Sequence, residues 1–169
     1  MADRLHSETG LVQFSERLTS SAAFGVLFRE GMDLVEETAA YLDGVGRTEA
    51  KALDRSVSLT YATESMRLTT RLMQLASWLL LHRAVKEGEM TLSQANREKT
   101  KVKLSAADPG PEDMLDKLPQ QLQDLIARSM GLQAKVRRLD GTIHAPVAER
   151  VIGNPLVPHL NRLKAAFEQ

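Results

Sequence analysis

The longest nearly apolar run in the chain is LMQLASWLLL, residues 72–81. A membrane-spanning helix needs about 20 consecutive apolar residues, and this run has roughly half that length. Gln74 and Ser77 interrupt it, and Arg71 and His82 bracket it. No membrane span is therefore expected, and the run is predicted to form part of a helical core.

The composition favours helices and excludes several kinds of site. Aromatic residues make up 4% of the 169 residues, and no segment alternates with period two, so strands are not expected. The absence of cysteine excludes disulfides, zinc–thiolate sites and thiol catalysis. The 22 basic and 22 acidic side chains balance, which argues mildly against a nucleic-acid-binding role. The polar first ten residues lack a signal-peptide core, so a cytoplasmic protein is expected.

Three segments have the spacing of long amphipathic helices: residues 20–42, 56–86 and 119–139. The stripe of the first consists of Phe24, Phe28, Met32, Val35, Ala39 and Leu42. The stripe of the third consists of Leu122, Leu125, Ser129, Leu132, Val136 and Leu139. Three such helices can share one core, which predicts an all-α, antiparallel three-helix bundle that a partner could complete as a dimer.

The remaining segments are interpreted as an arm, a connection and a tail. The predicted units are an N-terminal arm (1–19), the bundle (20–140) with its connection (88–112), and a mobile C-terminal tail (141–169). Thr91 and Gln94 have capping-box spacing, which predicts a short helix from about Leu92 to Lys99.

Local signals predict where the long helices begin and end. Ser20 or Ser21 is expected to cap the first helix, and Gly44 to end it. Gly88 is expected to end the second helix, and Asp140-Gly141 the third.

Gly25 and Gly31 lie inside the first predicted helix, where each glycine costs about 1 kcal/mol relative to alanine. Each is either a tolerated weakness or the mark of a closely packed neighbouring helix.

The helix over residues 56–86 has two faces at 100° per residue. The predicted core face consists of Leu68, Leu72, Met73, Leu75, Ala76, Leu79 and Leu80. The opposite, polar face consists of Arg67, Thr70, Arg71, Gln74, Ser77 and His82.

A short apolar seam runs along this polar face, formed by Trp78, Leu81 and Val85 at spacings of 3 and 4. Exposed apolar patches rimmed by polar residues are typical of interfaces. The seam, with Arg67, Arg71 and Gln74 as its rim, is therefore a candidate interface. The alternative is that the N-terminal segment or the 88–112 connection folds back over it.

No recognisable catalytic or cofactor-binding pattern occurs in the sequence. There is no GxSxG, HxxxH, GxxxxGK or GxGxxG motif, and the four histidines are scattered. The protein is therefore not expected to be an enzyme, and no cofactor or metal is predicted.

The central helix also resembles a known family. SMRLTTRLMQLASWLLLHRAVKEGEMT, Ser65–Thr91, resembles the signature of the RcdA-like family of bacterial cell-cycle proteins. LFREGMDLVEETAAYLDGVGR, Leu27–Arg47, is also similar to this family, and Leu118–Leu139 more loosely so. The resemblance covers roughly residues 14–140.

This resemblance implies a homodimeric three-helix bundle that acts as a non-enzymatic adaptor. Such an adaptor promotes delivery of cell-cycle substrates of the CtrA type to the ClpXP protease. The implied partners are ClpXP, the response regulator CpdR, the cyclic-di-GMP receptor PopA and the proteolysis substrates. The implied location is cytoplasmic, with recruitment to the cell pole.

Two further expectations come from the residues themselves. The tail mixes apolar and basic residues as docking peptides do, and its candidate docking residues are Arg150, Val151, Ile152, Leu156, Val157 and Leu160. The alternative is that the tail merely covers part of the bundle. An alternative function is nucleic-acid binding through the basic segments 97–103 and 135–138, although none is expected from the balanced charge.

Overall fold

The computed structural model describes residues 21–99 and 112–143, and every regular element in these ranges is an α-helix. The helices are α1 (Ala22–Asp43), α2 (Val45–Lys51), α3 (Arg55–Lys86), α4 (Leu92–Lys99), α5 (Glu112–Leu115) and α6 (Gln120–Ile143). The predicted all-α class is confirmed. The predicted N-terminal arm and the candidate docking residues of the tail lie outside the described residues.

The long helices α1, α3 and α6 pack around one core, and ion pairs across α1 and α6 define their relative direction. Glu30 pairs with Lys135 at 2.8 Å and Glu37 with Arg128 at 2.7 Å, so these two helices are antiparallel. Each pair is half-exposed and therefore adds little stability, but the order of the contacts along each helix fixes the orientation.

The α3 helix is antiparallel to α1 and parallel to α6. Phe24, at the start of α1, lies against Trp78, near the end of α3. α6 therefore begins at the same end of the bundle as α3, the arrangement found in bundles with a crossover connection.

Several helix ends form where local capping signals predict them. Ser21 Oγ accepts a hydrogen bond from the backbone N–H of Phe24 at 3.3 Å. At α4 the capping box is reciprocal, because Gln94 N–H donates to Thr91 Oγ1 at 3.1 Å and Thr91 N–H donates to Gln94 Oε1 at 2.9 Å. After α3, Gly88 adopts φ 75°, a left-handed conformation that favours glycine.

Gly44 ends α1 as predicted, although its φ of −111° is not left-handed and α2 begins at the next residue. The end of α6 differs from the prediction. α6 continues through Gly141 to Ile143. A glycine in a helix costs about 1 kcal/mol, but Ile143 is buried when the helix continues, and that burial offsets the cost.

The core face of α1 lies one residue away from the stripe predicted from the sequence. The buried residues of α1 are Phe24, Leu27, Gly31, Leu34, Thr38 and Tyr41. Of the predicted stripe, Phe24 is buried, Phe28, Met32, Val35 and Leu42 are partly buried, and Ala39 is exposed. The predicted stripe therefore borders the core along one edge, instead of forming its centre.

The two glycines inside α1 differ in their surroundings. A Cβ placed on Gly31 would collide with Leu79 Cδ1 of α3, whereas a Cβ on Gly25 would meet no atom within 4 Å. Gly31 therefore marks a close approach of α1 and α3, and Gly25 is a tolerated weakness.

Replacing these glycines with alanine is expected to have opposite effects. Gly25→Ala should raise the free energy of unfolding by up to about 1 kcal/mol, the helix-propensity gain. Gly31→Ala gains the same term but overpacks a core in which Leu79 is fully buried, a cost of about 1–3 kcal/mol. Urea unfolding followed by circular dichroism measures both variants. Equal stabilisation of the two would show that α1 and α3 are not in close contact at Gly31.

Candidate protein-interaction surface

The structure places the predicted interface residues of α3 mostly inside the chain. Trp78 has no exposed surface and Arg71 is 3% exposed. Leu81, Val85, Arg67 and Gln74 are partly buried. The prediction that Trp78 lies on an exposed seam is wrong for this conformation, because neighbouring helices of the same chain cover the indole.

Side chains from α1, α3 and α6 contact the Trp78 indole. The indole N–H donates to Asp140 Oδ1 on α6 at 2.8 Å, and Lys99 of α4 pairs with Asp140 Oδ2 at 2.7 Å. Phe24 of α1 and His82 of α3 flank the indole ring, with centroid distances of 6.4 and 4.0 Å. Lys99 of α4, in the 88–112 connection, thus pairs with the carboxylate that accepts the indole hydrogen bond.

Polar side chains occupy three core positions of α3. Glu64, Arg71 and His82 are at most 3% exposed, interleaved with Leu68, Leu75 and Trp78. The prediction that Arg71 and His82 lie on a solvated face is therefore wrong. In the sequence, the polar face was defined only as the side of the helix opposite the apolar residues. That definition could not show that Arg71 and His82 have hydrogen-bond partners inside the chain.

The buried guanidinium of Arg71 has a partner on α6 and a charge on its own helix. Arg71 Nη1 donates to Ser129 Oγ at 2.9 Å, and Ser129 donates to the carbonyl of Ile126 at 2.7 Å. Burial lowers the pKa of Arg71 from its ordinary value, and the nearby Glu64 carboxylate opposes that shift. Glu64 itself accepts a hydrogen bond from the half-exposed Arg67.

The solvent-facing side of α3 carries a row of large apolar residues. Leu59, Met66, Met73 and Leu80 recur at a spacing of seven and are 70%, 71%, 67% and 52% exposed. Residues at this spacing lie along one line of a helix, as the same position of successive heptads does in a coiled coil. We call these four residues the α3 row. Met73 and Leu80 were predicted to be in the core, and that prediction is wrong.

This side of α3 also lacks charge. Between Ser56 and His82, only Glu64, Arg67 and Arg71 are formally charged. Glu64 and Arg71 are buried, and Arg67 pairs with Glu64. The residues on either side of the α3 row are small: Ala62, Thr63, Thr69, Thr70, Ala76 and Ser77. A helix face this long without exposed charge is unusual for a surface that meets only water.

A mainly apolar groove of about 310 Å³ lies between α1 and α3 beside the α3 row. Its lining residues are Val35, Thr38, Ala39, Leu42, Asp43, Thr69, Leu72, Met73 and Ala76. Met73 belongs to both the row and the groove, so the two features form one continuous surface. The edge of the α1 stripe that the sequence predicted as core supplies the other wall.

The α3 row could have been found from the sequence alone. Its spacing of seven and the scarcity of charge over residues 56–82 are both visible there. The sequence-based prediction placed Met73 and Leu80 in the core because both residues lie at the edge of the wide apolar arc of α3.

One lysine of each basic segment forms an ion pair within the chain. Lys99 pairs with Asp140, and Lys135 pairs with Glu30. Residues 100–103 of the first segment lie outside the described residues. The described contacts therefore do not favour the nucleic-acid alternative.

Within residues 21–99 and 112–143, no cluster of three or more His, Cys, Asp or Glu side chains could hold a metal ion. None of the helices in these ranges is long and apolar enough to cross a membrane. The distinctive feature of the described surface is an uncharged, largely apolar helix face beside a groove. A helical bundle with such a face is typical of proteins that act through contacts with other proteins.

Comparisons with known proteins identify the family. The family described as "Protein of unknown function (DUF1465)" matches residues 15–167. The crystal structure of RcdA from Caulobacter crescentus CB15 is similar at 48% sequence identity and a TM-score of 0.64, covering 78% of this chain and 98% of that one. No match was found among curated proteins. The chain belongs to the DUF1465 family, which is the RcdA family, as the Ser65–Thr91 motif indicated.

Proposed function

We propose that this protein is a non-enzymatic adaptor that promotes delivery of cell-cycle substrates of the CtrA type to the ClpXP protease. The observation that carries the proposal is the 48% identity to RcdA over 98% of that chain. The uncharged face of α3 supports it, because an adaptor requires surface for protein partners and no catalytic centre. The implied partners are a second copy of the chain, ClpXP, CpdR, PopA and the substrates, in the cytoplasm and at the cell pole.

A reconstituted degradation assay tests this function. Purified ClpXP, CpdR and a CtrA-type substrate are incubated with ATP, with and without the protein, and substrate loss is followed over time. The protein is expected to accelerate degradation of that substrate. A substrate that ClpXP recognises through its own degradation tag serves as the control and should be degraded at an unchanged rate. Equal rates for the CtrA-type substrate with and without the protein, with and without PopA, would contradict the proposed function.

The role of the C-terminal tail can be tested in the same assay. A variant that lacks residues 145–169 should keep the helical content and thermal midpoint of the full chain but deliver substrate less well. A cooperative loss of stability on truncation would show instead that the tail is part of the core.

A further inference from the structure

We propose that the α3 row is the contact between two copies of this chain, whose α3 helices pair antiparallel around a two-fold axis near Thr69 and Thr70. This inference rests on the proposed homodimer, but not on the proposed delivery function. It assigns a helix, a direction and a register to that dimer.

The positions of the row residues match a two-fold axis. In an antiparallel pair centred between Thr69 and Thr70, Leu59 lies opposite Leu80 of the second copy, and Met66 lies opposite Met73 of the second copy. The centre of the row is within about one residue of the centre of α3, so the pairing uses nearly the full helix. A two-fold interface must be complementary to itself, and this row meets that condition.

The residues beside the row permit close approach. Ala62, Thr69 and Ala76 follow one side of the row, and Thr63, Thr70 and Ser77 follow the other. Small side chains beside a line of large ones allow each methionine or leucine to insert between residues of the facing helix. Methionine is flexible and adapts to such gaps, and the groove beside Met73 adds space for an opposing side chain.

The distribution of charge favours a second copy over a charged partner. Between Ser56 and His82, the partly exposed charge on α3 is Arg67, and it already pairs with Glu64, so a charged partner helix would find little opposite charge there. An uncharged face, by contrast, brings no like charges together when it meets its own copy.

The helix dipoles favour the antiparallel direction. Antiparallel helices place each helix dipole against one of opposite direction, whereas parallel helices align them. The side chains at the helix ends do not decide the direction, because Glu87 already pairs with Arg83 of the same helix at 2.9 Å.

Two substitutions in the row test the surface. The molar mass of the wild type and of Met66→Glu/Met73→Glu is measured by light scattering over a range of concentrations. We expect the wild type to be a dimer and the variant to dissociate on the order of 100-fold or more readily, because each substitution enters a two-fold interface twice. Val26→Glu is the matched control, because Val26 on α1 is 67% exposed, as Met73 is. Far-ultraviolet circular dichroism should be the same for all three proteins.

Cross-linking tests the direction and register, since the chain has no native cysteine. With a short bismaleimide, Thr70→Cys should cross-link to its own copy. Leu59→Cys alone should not, because the two Leu59 positions would be about 30 Å apart at 1.5 Å per residue. A mixture of Leu59→Cys and Leu80→Cys should cross-link.

Four results would overturn the proposal. These are a monomeric wild type, a dimer that persists in Met66→Glu/Met73→Glu, cross-linking of Leu59→Cys to itself, and failure of both Thr70→Cys and the mixture to cross-link. A persistent dimer whose row variant no longer binds substrate would assign the row to a partner protein instead. The degradation assay with wild-type protein tests the delivery function separately, so the two proposals can fail independently.

Discussion

Replacing Trp78 with alanine is expected to lower the free energy of unfolding by about 3–5 kcal/mol, the usual cost of truncating a large buried aromatic residue. The indole is fully buried, so its removal leaves a cavity among α1, α3 and α6. The variant also loses the stacking with His82 and the hydrogen bond to Asp140 Oδ1. The hydrogen bond links α3 to α6, and the stacking lies within α3, so unfolding is expected to remain cooperative with a lower midpoint.

Two control variants separate the parts of this effect. Trp78→Phe keeps most of the ring packing and loses the indole N–H, so a smaller cost of about 1–3 kcal/mol is expected. Leu81→Ala removes a partly buried neighbour on the same helix and should cost less than Trp78→Ala. Urea unfolding followed by circular dichroism is the suitable measurement, because Trp78 is the only tryptophan and its fluorescence is lost in two of the variants.

The same series distinguishes the two interpretations of Trp78. A Trp78→Ala variant that is as stable as the wild type but no longer self-associates would show that the indole forms an intermolecular contact, as the exposed-seam hypothesis required. A large loss of stability would support the burial seen in the structure.

The parts of the fold that depend on short-range signals could be predicted from the sequence. Ser21, the Thr91 and Gln94 capping box and Gly88 each act within four residues, and all three features are present. The core leucines Leu68, Leu72, Leu75 and Leu79 were also predicted, because apolar residues at helical spacing are buried whichever helix covers them.

The parts that depend on distant partners could not be predicted. Arg71 is buried because Ser129, 58 residues away, accepts its hydrogen bond. Trp78 is buried because Asp140, 62 residues away, accepts a hydrogen bond from the indole. A single sequence shows neither pairing, so Arg71 was interpreted as part of the polar face and Trp78 as exposed. Because Arg71 and Trp78 are buried, the core face of α3 is rotated toward Trp78 relative to the predicted core face. This rotation leaves Met73 and Leu80 exposed.

The rotation of the core face of α3 also changes which surface is a candidate interface. The sequence indicated Trp78, Leu81 and Val85, whereas the structure exposes Leu59, Met66, Met73 and Leu80. The sequence indicated that α3 has more apolar surface than the core of the chain can bury. The structure agrees, but the additional apolar residues lie on a different face of α3. The helical angle alone could not decide this, because both faces border the wide apolar arc.

Replacing Glu64 with leucine is expected to cost about 3–5 kcal/mol, because it removes a buried carboxylate whose negative charge stabilises the buried guanidinium of Arg71. Glu64 is 2% exposed and Arg71 is 3% exposed, so water cannot easily take the place of the carboxylate. Arg71→Met should cost much less, since methionine fills similar space, Glu64 keeps its contact with Arg67, and Ser129 still donates to Ile126. The two single variants are therefore expected to differ even though each breaks the same Glu64–Arg71 interaction.

The double variant Glu64→Leu/Arg71→Met provides the sharpest comparison. Replacing two buried groups of opposite charge with apolar side chains is often neutral or stabilising, so the double variant should be more stable than Glu64→Leu alone. Urea unfolding of the wild type, both single variants and the double variant forms a double-mutant cycle that measures the coupling. If Glu64→Leu costs no more than Arg71→Met, and the double variant is the sum of the two, the guanidinium does not depend on Glu64. Its hydrogen bond to Ser129 would then be what keeps Arg71 in the core.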